Sequence, residues 1–224
     1  MALFVISDLH LSFSADKPMS VFPGWENHID RLSANWKRTV KENDTVVLGG
    51  DTSWALKLED TVEDFRFINS LPGKKLLLKG NHDLWWNTST KVKNLLSENG
   101  FNSIELVFNN CILTDNFAVC GARGWQPDGE EKIILREAGR LRLSLAQAAD
   151  LAIDPIVVMH FPPVLNGVVC RPIVDVLHEY KIDKVYCGHL HGAGAKNLLP
   201  EFEGIKFKLI SADQIDFTPL QILG

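Results

Sequence analysis

Leu3-Phe4-Val5-Ile6-Ser7-Asp8-Leu9-His10 begins as a run of apolar, partly β-branched residues and ends in a carboxylate and an imidazole two positions apart. The pattern returns along the chain. Val46-Val47-Leu48 leads into Gly49-Gly50-Asp51, and Leu76-Leu77-Leu78 leads into Lys79-Gly80-Asn81-His82-Asp83. Ile156-Val157-Val158-Met159 ends in His160, and Lys184-Val185-Tyr186-Cys187 ends in Gly188-His189-Leu190-His191. Short continuous apolar runs suit strands buried on both faces, as in parallel sheets. Open α/β sheets bind ligands in the crevice beyond the carboxyl ends of such strands. The five ends therefore read as one site.

Working outward, a chain of 224 residues fits one large α/β domain, here expected over 1–224. A formal charge of −5 provides no global attraction to nucleic acid or to an anionic membrane. Cys111, Cys120, Cys170 and Cys187 show no CxxC spacing, so they read as small buried thiols rather than a disulfide framework or a thiolate metal site. No apolar run approaches the roughly 18 residues that span a bilayer. Asp8 and His10 lie so near Met1 that removal of a signal peptide would remove the proposed site, so a cytoplasmic location is expected.

Between the strands, helical periodicity predicts helices over about 27–42, 59–70, 88–98, 130–149 and 173–180. Leu71-Pro72-Gly73 and Asn99-Gly100 stop two of them. From Ser103 to Gly121 the pattern changes to short strands broken by Asn109-Asn110 and Asp115-Asn116, turn pairs that favour antiparallel connections. Ile205–Ile210 and Ile215–Ile222 read as a closing hairpin around Ala212-Asp213-Gln214. The architecture this implies is α/β, two mixed sheets with helices outside.

Divalent metals need converging oxygen and nitrogen donors, and the strand ends supply seven: Asp8, His10, Asp51, Asn81, His160, His189 and His191. Asp8 and His10 stand at i and i+2, as do His189 and His191, so an extended segment would point each pair the same way. Five of the seven histidines fall in these motifs, too many for coincidence; His28 and His178, on helices, read as surface or half-buried groups without a role. Seven donors suit two ions with one shared ligand. The mix of imidazole and carboxylate favours Mn, Fe, Zn, Co or Ni over calcium. A pair of such ions roughly 3.5–4 Å apart activates water and clamps substrate oxygens.

Asp8-Leu9-His10, Gly50-Asp51, Gly80-Asn81-His82-Asp83, His160 and Gly188-His189-Leu190-His191 together resemble, in order, the signature of calcineurin-like metallophosphoesterases. The resemblance implies a four-layer α/β/β/α sandwich. It also implies one metal held by Asp8, His10, Asp51 and His191, and a second by Asp51, Asn81, His160 and His189, with Asp51 bridging. His82 would then bind the phosphate and protonate the departing alkoxide, with Asp51 and Asn81 as catalytic partners. Many members carry an orienting Asp three residues after the bridging one. Trp54 stands there in this chain, which leaves Asp83 or a backbone carbonyl to serve.

The reaction expected is hydrolysis of a small, nucleotide-like phosphomonoester or phosphodiester by in-line attack of a metal-bridging hydroxide. Arg123, in a Gly-flanked loop after a strand, is either a phosphate ligand or an ordinary surface arginine. Trp125, with Trp54, Trp85 and Trp86, either lines an aromatic wall for the substrate or simply packs. Arg136 and Arg140 share a helix face read as solvated. Two rivals stand beside the esterase reading: a nuclease, which the negative charge disfavours, and a non-catalytic protein-binding scaffold of the same fold, which would be expected to lose ligands that this chain keeps.

Overall fold

The computed structural model describes residues 1–114, 117–151 and 153–224. The chain runs β1 (Leu3–Ile6), α1 (His28–Thr39), β2 (Thr45–Leu48), α2 (Val62–Ser70), β3 (Lys74–Leu77), α3 (Ser89–Glu98) and β4 (Ile104–Leu106). It continues through β5 (Ile112–Leu113), β6 (Ala118–Ala122), α4 (Glu131–Ala149), β7 (Pro155–Met159), β8 (Val164–Leu165), β9 (Val168–Val169) and α5 (Arg171–Glu179). β10 (Lys184–Cys187), β11 (Glu201–Phe202), β12 (Ile205–Leu209) and β13 (Leu220–Leu223) complete it.

Two mixed sheets result. The first is ordered β13-β1-β2-β3-β4, with β1 to β4 parallel and β13 antiparallel at the edge. The second is ordered β11-β12-β10-β7-β6-β5, parallel except at its two edges. Alternation along each strand decides the layers. Phe4, Ile6, Val46, Leu48 and Leu77 face α1, α2 and α3, where Leu32, Trp36, Phe65, Ile68 and Val92 cover them. Leu3, Val5, Val47 and Leu76 point the other way and meet Val119, Val158 and Tyr186 of the second sheet. That sheet's outer face, with Cys120, Val157, Met159, Val185 and Cys187, packs under α4 and α5. The four-layer sandwich is therefore a consequence of strands that are apolar on both faces.

The main chain ties the two sheets together at one end. Ser7 N donates to Ile210 O at 2.9 Å, and Ala212 N donates to Ser7 O at 2.9 Å. This junction joins the C-terminal end of β1 to that of β12, so the carboxyl ends of both sheets open on one crevice.

The structure corrects three expectations. Residues 205–210 and 215–222 form no hairpin with each other: β12 lies parallel to β10 in the second sheet, while β13 lies antiparallel to β1 in the first. The Ala212–Ile215 stretch is a single 3-10 turn that crosses between sheets. Likewise β4 pairs parallel with β3, and Asn109-Asn110 carries the chain to the other sheet rather than into an antiparallel partner. β5 and β6 are antiparallel; the Asp115-Asn116 turn itself lies outside the described residues. His28 is buried against Trp25 and Phe217 rather than at the surface or half-buried. The small β8–β9 hairpin was not anticipated.

Because Leu76 is fully buried between the sheets, Leu76→Ala should cost about 2–5 kcal/mol of unfolding free energy, read by chemical denaturation.

Candidate metal centre

The strand ends do not reach the crevice as extended chain. Asp8 (φ 61°), His10 (φ 48°), Asp51 (φ 51°) and His189 (φ 74°) all occupy the left-handed region. The i, i+2 argument for Asp8 and His10 therefore gives way to another: each turns its side chain inward through a locally unfavourable backbone. Such residues cost of order 1–3 kcal/mol each and persist where surrounding structure holds them. Hydrogen bonds supply the hold: Asp8 N to Gly50 O at 2.9 Å, and His10 N to Asp51 O at 3.0 Å. The glycines have a separate reason. A Cβ on Gly80 would collide with the Asp51 carboxylate, and one on Gly188 with Ser7 Oγ and the Asp8 carboxylate.

The donors converge as two linked groups. His10 Nε2 lies 3.3 Å from His191 Nε2, and His191 Nε2 lies 3.2 Å from Asp8 Oδ1. On the other side His189 Nδ1 is 2.9 Å and His160 Nε2 is 2.7 Å from Asn81 Oδ1. Asp51 Oδ2 sits between them, 3.3 Å from His160 Nε2 and 3.9 Å from His10 Nε2. Among the described Asp, Glu, His and Cys residues, the sets able to hold an ion are Asp8–His10–His191 and Asp8–Asp51–His160. All seven sequence candidates are thus in one place. Cys187, although two residues from His189, faces the outer core.

The far side of each ring shows how well this donor set fits a cation. His160 Nδ1 donates to Gly49 O at 3.1 Å, which turns Nε2 toward Asn81 and Asp51. His191 Nδ1 donates to Asp213 Oδ1 at 2.8 Å, which turns its Nε2 toward Asp8 and His10. Such outer carbonyls and carboxylates fix the tautomer of metal-binding imidazoles. In each case an inward nitrogen faces acceptors, so a proton or a metal ion must lie between them.

Electrostatics point the same way. Burial alone would lower the His160 pKa, but neighbouring Asp51 outweighs it and raises it to about 9. For His191, burial is outweighed by hydrogen bonds to Asp213 and Asp8, and the pKa rises to about 10. Burial pulls His10 and His189 down, each to about 4. Burial would raise the Asp8 carboxyl, yet the hydrogen bond from His191 and the surrounding imidazoles hold it well below the usual range.

Two supporting residues hold places that the sequence reading does not give them. Asp213, taken for a hairpin turn, orients His191 and also accepts Gly192 N at 2.8 Å. Asp83 does not touch the His82 ring. Its carboxylate accepts from the backbone N–H of Asp51 at 2.9 Å, Thr52 at 2.8 Å and Gly80 at 2.7 Å, joining the loops after β2 and β3. Only the Gly-Asn-His-Asp spacing hinted at Asp83, and nothing local marked Asp213.

His82 is held through its backbone, where N–H donates to Asp51 Oδ1 at 2.7 Å. Its ring packs on Trp54, centroids 4.4 Å apart, and among the described residues its nitrogens take no hydrogen bond. It lines a cavity of about 480 Å³ with His10, His191, Trp25 and Trp54. Of the four tryptophans considered for an aromatic wall, only Trp54 is there, joined by the unforeseen Trp25. Trp85 and Trp86 are buried in the core between α2, α3 and the first sheet. Arg123 and Trp125 do not line that cavity. The Arg123 guanidinium stacks 4.4 Å from the Trp125 ring centre and pairs at 3.4 Å with Glu137, itself buried and bound by Arg140 at 2.6 Å. Arg140 thus joins an ion cluster, contrary to its reading as a solvated group.

Comparison with known proteins adds family and fold. Residues 1–193 match the family model described as calcineurin-like phosphoesterase. No curated protein matches the chain. Among solved structures, a protein of unknown function from Aquifex aeolicus is 16% identical over 98% of this chain and 95% of its own, with a TM-score of 0.54. A phosphopantetheinyl hydrolase from Mycobacterium tuberculosis is 15% identical over 99% of this chain and 95% of its own, TM-score 0.51. A protein from Thermus thermophilus is 13% identical over 99% of this chain and 97% of its own, TM-score 0.59. At such identities the likeness is one of fold. Among the described residues no helix is long and apolar enough to cross a membrane.

Two measurements follow from the site. With His160 and His191 titrating near 9 and 10, both carry protons at pH 7.5 without metal. Divalent-ion binding should release about two protons there, and affinity should climb with pH; calorimetry in buffers of different ionisation enthalpy reads this, and no release would contradict the ligand set. Asp213→Asn should weaken metal binding by about 10–100-fold in a competition assay with a chelating dye.

Proposed function

The chain belongs to the calcineurin-like phosphoesterase family, and from that membership we propose that it is a metal-dependent hydrolase of small phosphomonoesters or phosphodiesters, acting over 1–224 as one catalytic domain. The observation that carries the reading is His82: an imidazole without a hydrogen-bonding partner among the described residues, beside His10 and His191 at the mouth of a seven-donor cluster. Asp8, His10, Asp51 and His191 would hold one divalent ion, and Asp51, Asn81, His160 and His189 the other. When bound, such ions supply Lewis acidity toward phosphoryl oxygens and lower the pKa of a water into the neutral range.

The protein's own groups do the rest. His82 binds the phosphoryl group and delivers a proton to the leaving oxygen. The link from its backbone to Asp51 Oδ1 ties its position to the donors, so acid and ligands move as one. Trp54, stacked on His10 at 4.7 Å and tilted against His82, limits how the acid's ring can turn. It does so by packing where a carboxylate would do so by hydrogen bonding. Trp25, buried, walls the same side against water.

A nuclease is the less favoured alternative, since the chain carries a net charge of −5. A protein-binding scaffold would have no use for a complete donor set and a free acid. We place the activity inside the cell, on a small substrate rather than nucleic acid.

Protein stripped of metal and reloaded in turn with Mn, Fe, Zn, Co or Ni should hydrolyse members of a phosphoester panel that includes a phosphopantetheinyl ester. Inertness of every loaded form would favour the scaffold. His82→Ala should lower kcat by about 10²–10⁴-fold at unchanged metal content; wild-type kcat would remove His82 from the mechanism.

A further inference from the structure

We propose that the cavity beside His82 receives the organic group of the ester, and that this group is flat, apolar and uncharged. The inference rests on the phosphoesterase reading and goes beyond it, to the substrate class.

The cavity is chemically two-sided. His10, His82 and His191 form one side; Met19, Phe22, Pro23, Trp25, Trp54 and Ala193 supply most of the other. Among the described residues no carboxylate, amide, lysine or arginine side chain lines it. The one polar atom of the Trp54 side chain is already used, because Nε1 donates to Met19 Sδ at 3.2 Å. Trp54 therefore offers ring surface and no hydrogen bond. Trp25 is held edge-on against Phe217 and His191, with centroids 5.1 and 5.6 Å away, so the second wall is rigid as well. The apolar character extends outward, where Phe22 and Val21 stand exposed on the loop after β1. Lys17, whose ammonium lies 5.4 Å from the Trp54 ring centre, is exposed and not among the lining groups.

Position assigns the occupant. A phosphoryl group belongs with the donors, and the ester oxygen must leave on the side where the proton waits. His82 is on the cavity side of the cluster, 5.7 Å from His10 between ring centres. Whatever the leaving oxygen carries must then lie along Trp54 and Trp25. A polyol, a carboxylate or a second phosphate would lose its water there without replacement partners, a cost that selects against it. An aryl or similar planar group would instead lie along Trp54 and the exposed Phe22, with buried Trp25 behind them, and bury its own apolar surface. About 480 Å³ is room for a ring system rather than a macromolecular segment.

The test uses manganese-loaded protein and three non-hydrolysable probes, 1-naphthylphosphonate, methylphosphonate and 2-carboxyethylphosphonate, with affinities from calorimetry. The naphthyl probe should bind roughly tenfold or more tighter than the methyl probe, and the carboxyethyl probe no tighter than methyl. Ala193→Trp, which fills the cavity, and Phe22→Ala, which opens its rim, should each shrink the naphthyl-to-methyl ratio. Equal affinities, a preference for the carboxylate, or a ratio that Ala193→Trp leaves intact would overturn the proposal. If esters are cut without any aryl preference, this proposal alone falls. If no phosphonate binds and no ester is cut, the phosphoesterase reading falls with it.

Discussion

Two carboxylates, those of Asp8 and Asp51, are buried at the edge where the sheets meet. Charges removed from water cost several kcal/mol each unless they are paired and hydrogen-bonded. This protein meets that demand with imidazoles and backbone N–H groups rather than lysine or arginine. Asp8 receives His189 N, Ser211 Oγ at 3.0 Å and His191 Nε2. Asp51 receives His82 N and faces His160. Imidazoles can give up their protons to a metal ion where guanidinium groups cannot, so the same choice that makes burial tolerable leaves a donor set that could hold a cation.

Much of the architecture serves that choice. The sheets must approach closely at one end, and the Ser7–Ile210 and Ala212–Ser7 hydrogen bonds hold them there. The loops after β2 and β3 must stay fused, and Asp83 does this with both oxygens; burial and the nearby Asp51 charge raise its pKa to about 6. The glycines at 80 and 188 are needed because neighbouring side chains pass where a Cβ would stand. Four of the candidate ligands hold a left-handed backbone that is tolerated because each is bound into this frame.

The site's two sides divide the labour. The donors belong to a polar, buried floor, whereas Trp25 and Trp54 form walls with little to offer a polar group. His82 stands at the border. The Arg123–Glu137–Arg140 cluster lines a separate cavity, where two guanidinium groups share one buried carboxylate and leave a net positive charge.

The local sequence was enough to determine the strands that end in the crevice, the five helices within a few residues, and the seven candidate donors that the fold brings together. Each of these depends on short-range periodicity or on chemistry confined to one motif. The partner of each strand was not legible. β12 and β13 look like a hairpin because they are adjacent and apolar, yet they serve different sheets; pairing is decided by which surfaces bury each other across the whole chain. For the same reason Asp213 looked like a turn residue until folding set it 2.8 Å from His191, and Trp25 became a wall while Trp85 and Trp86 sank into the core. Periodicity assigns a side chain to a face, but only tertiary packing decides what that face meets, and with it which neighbours a functional group has.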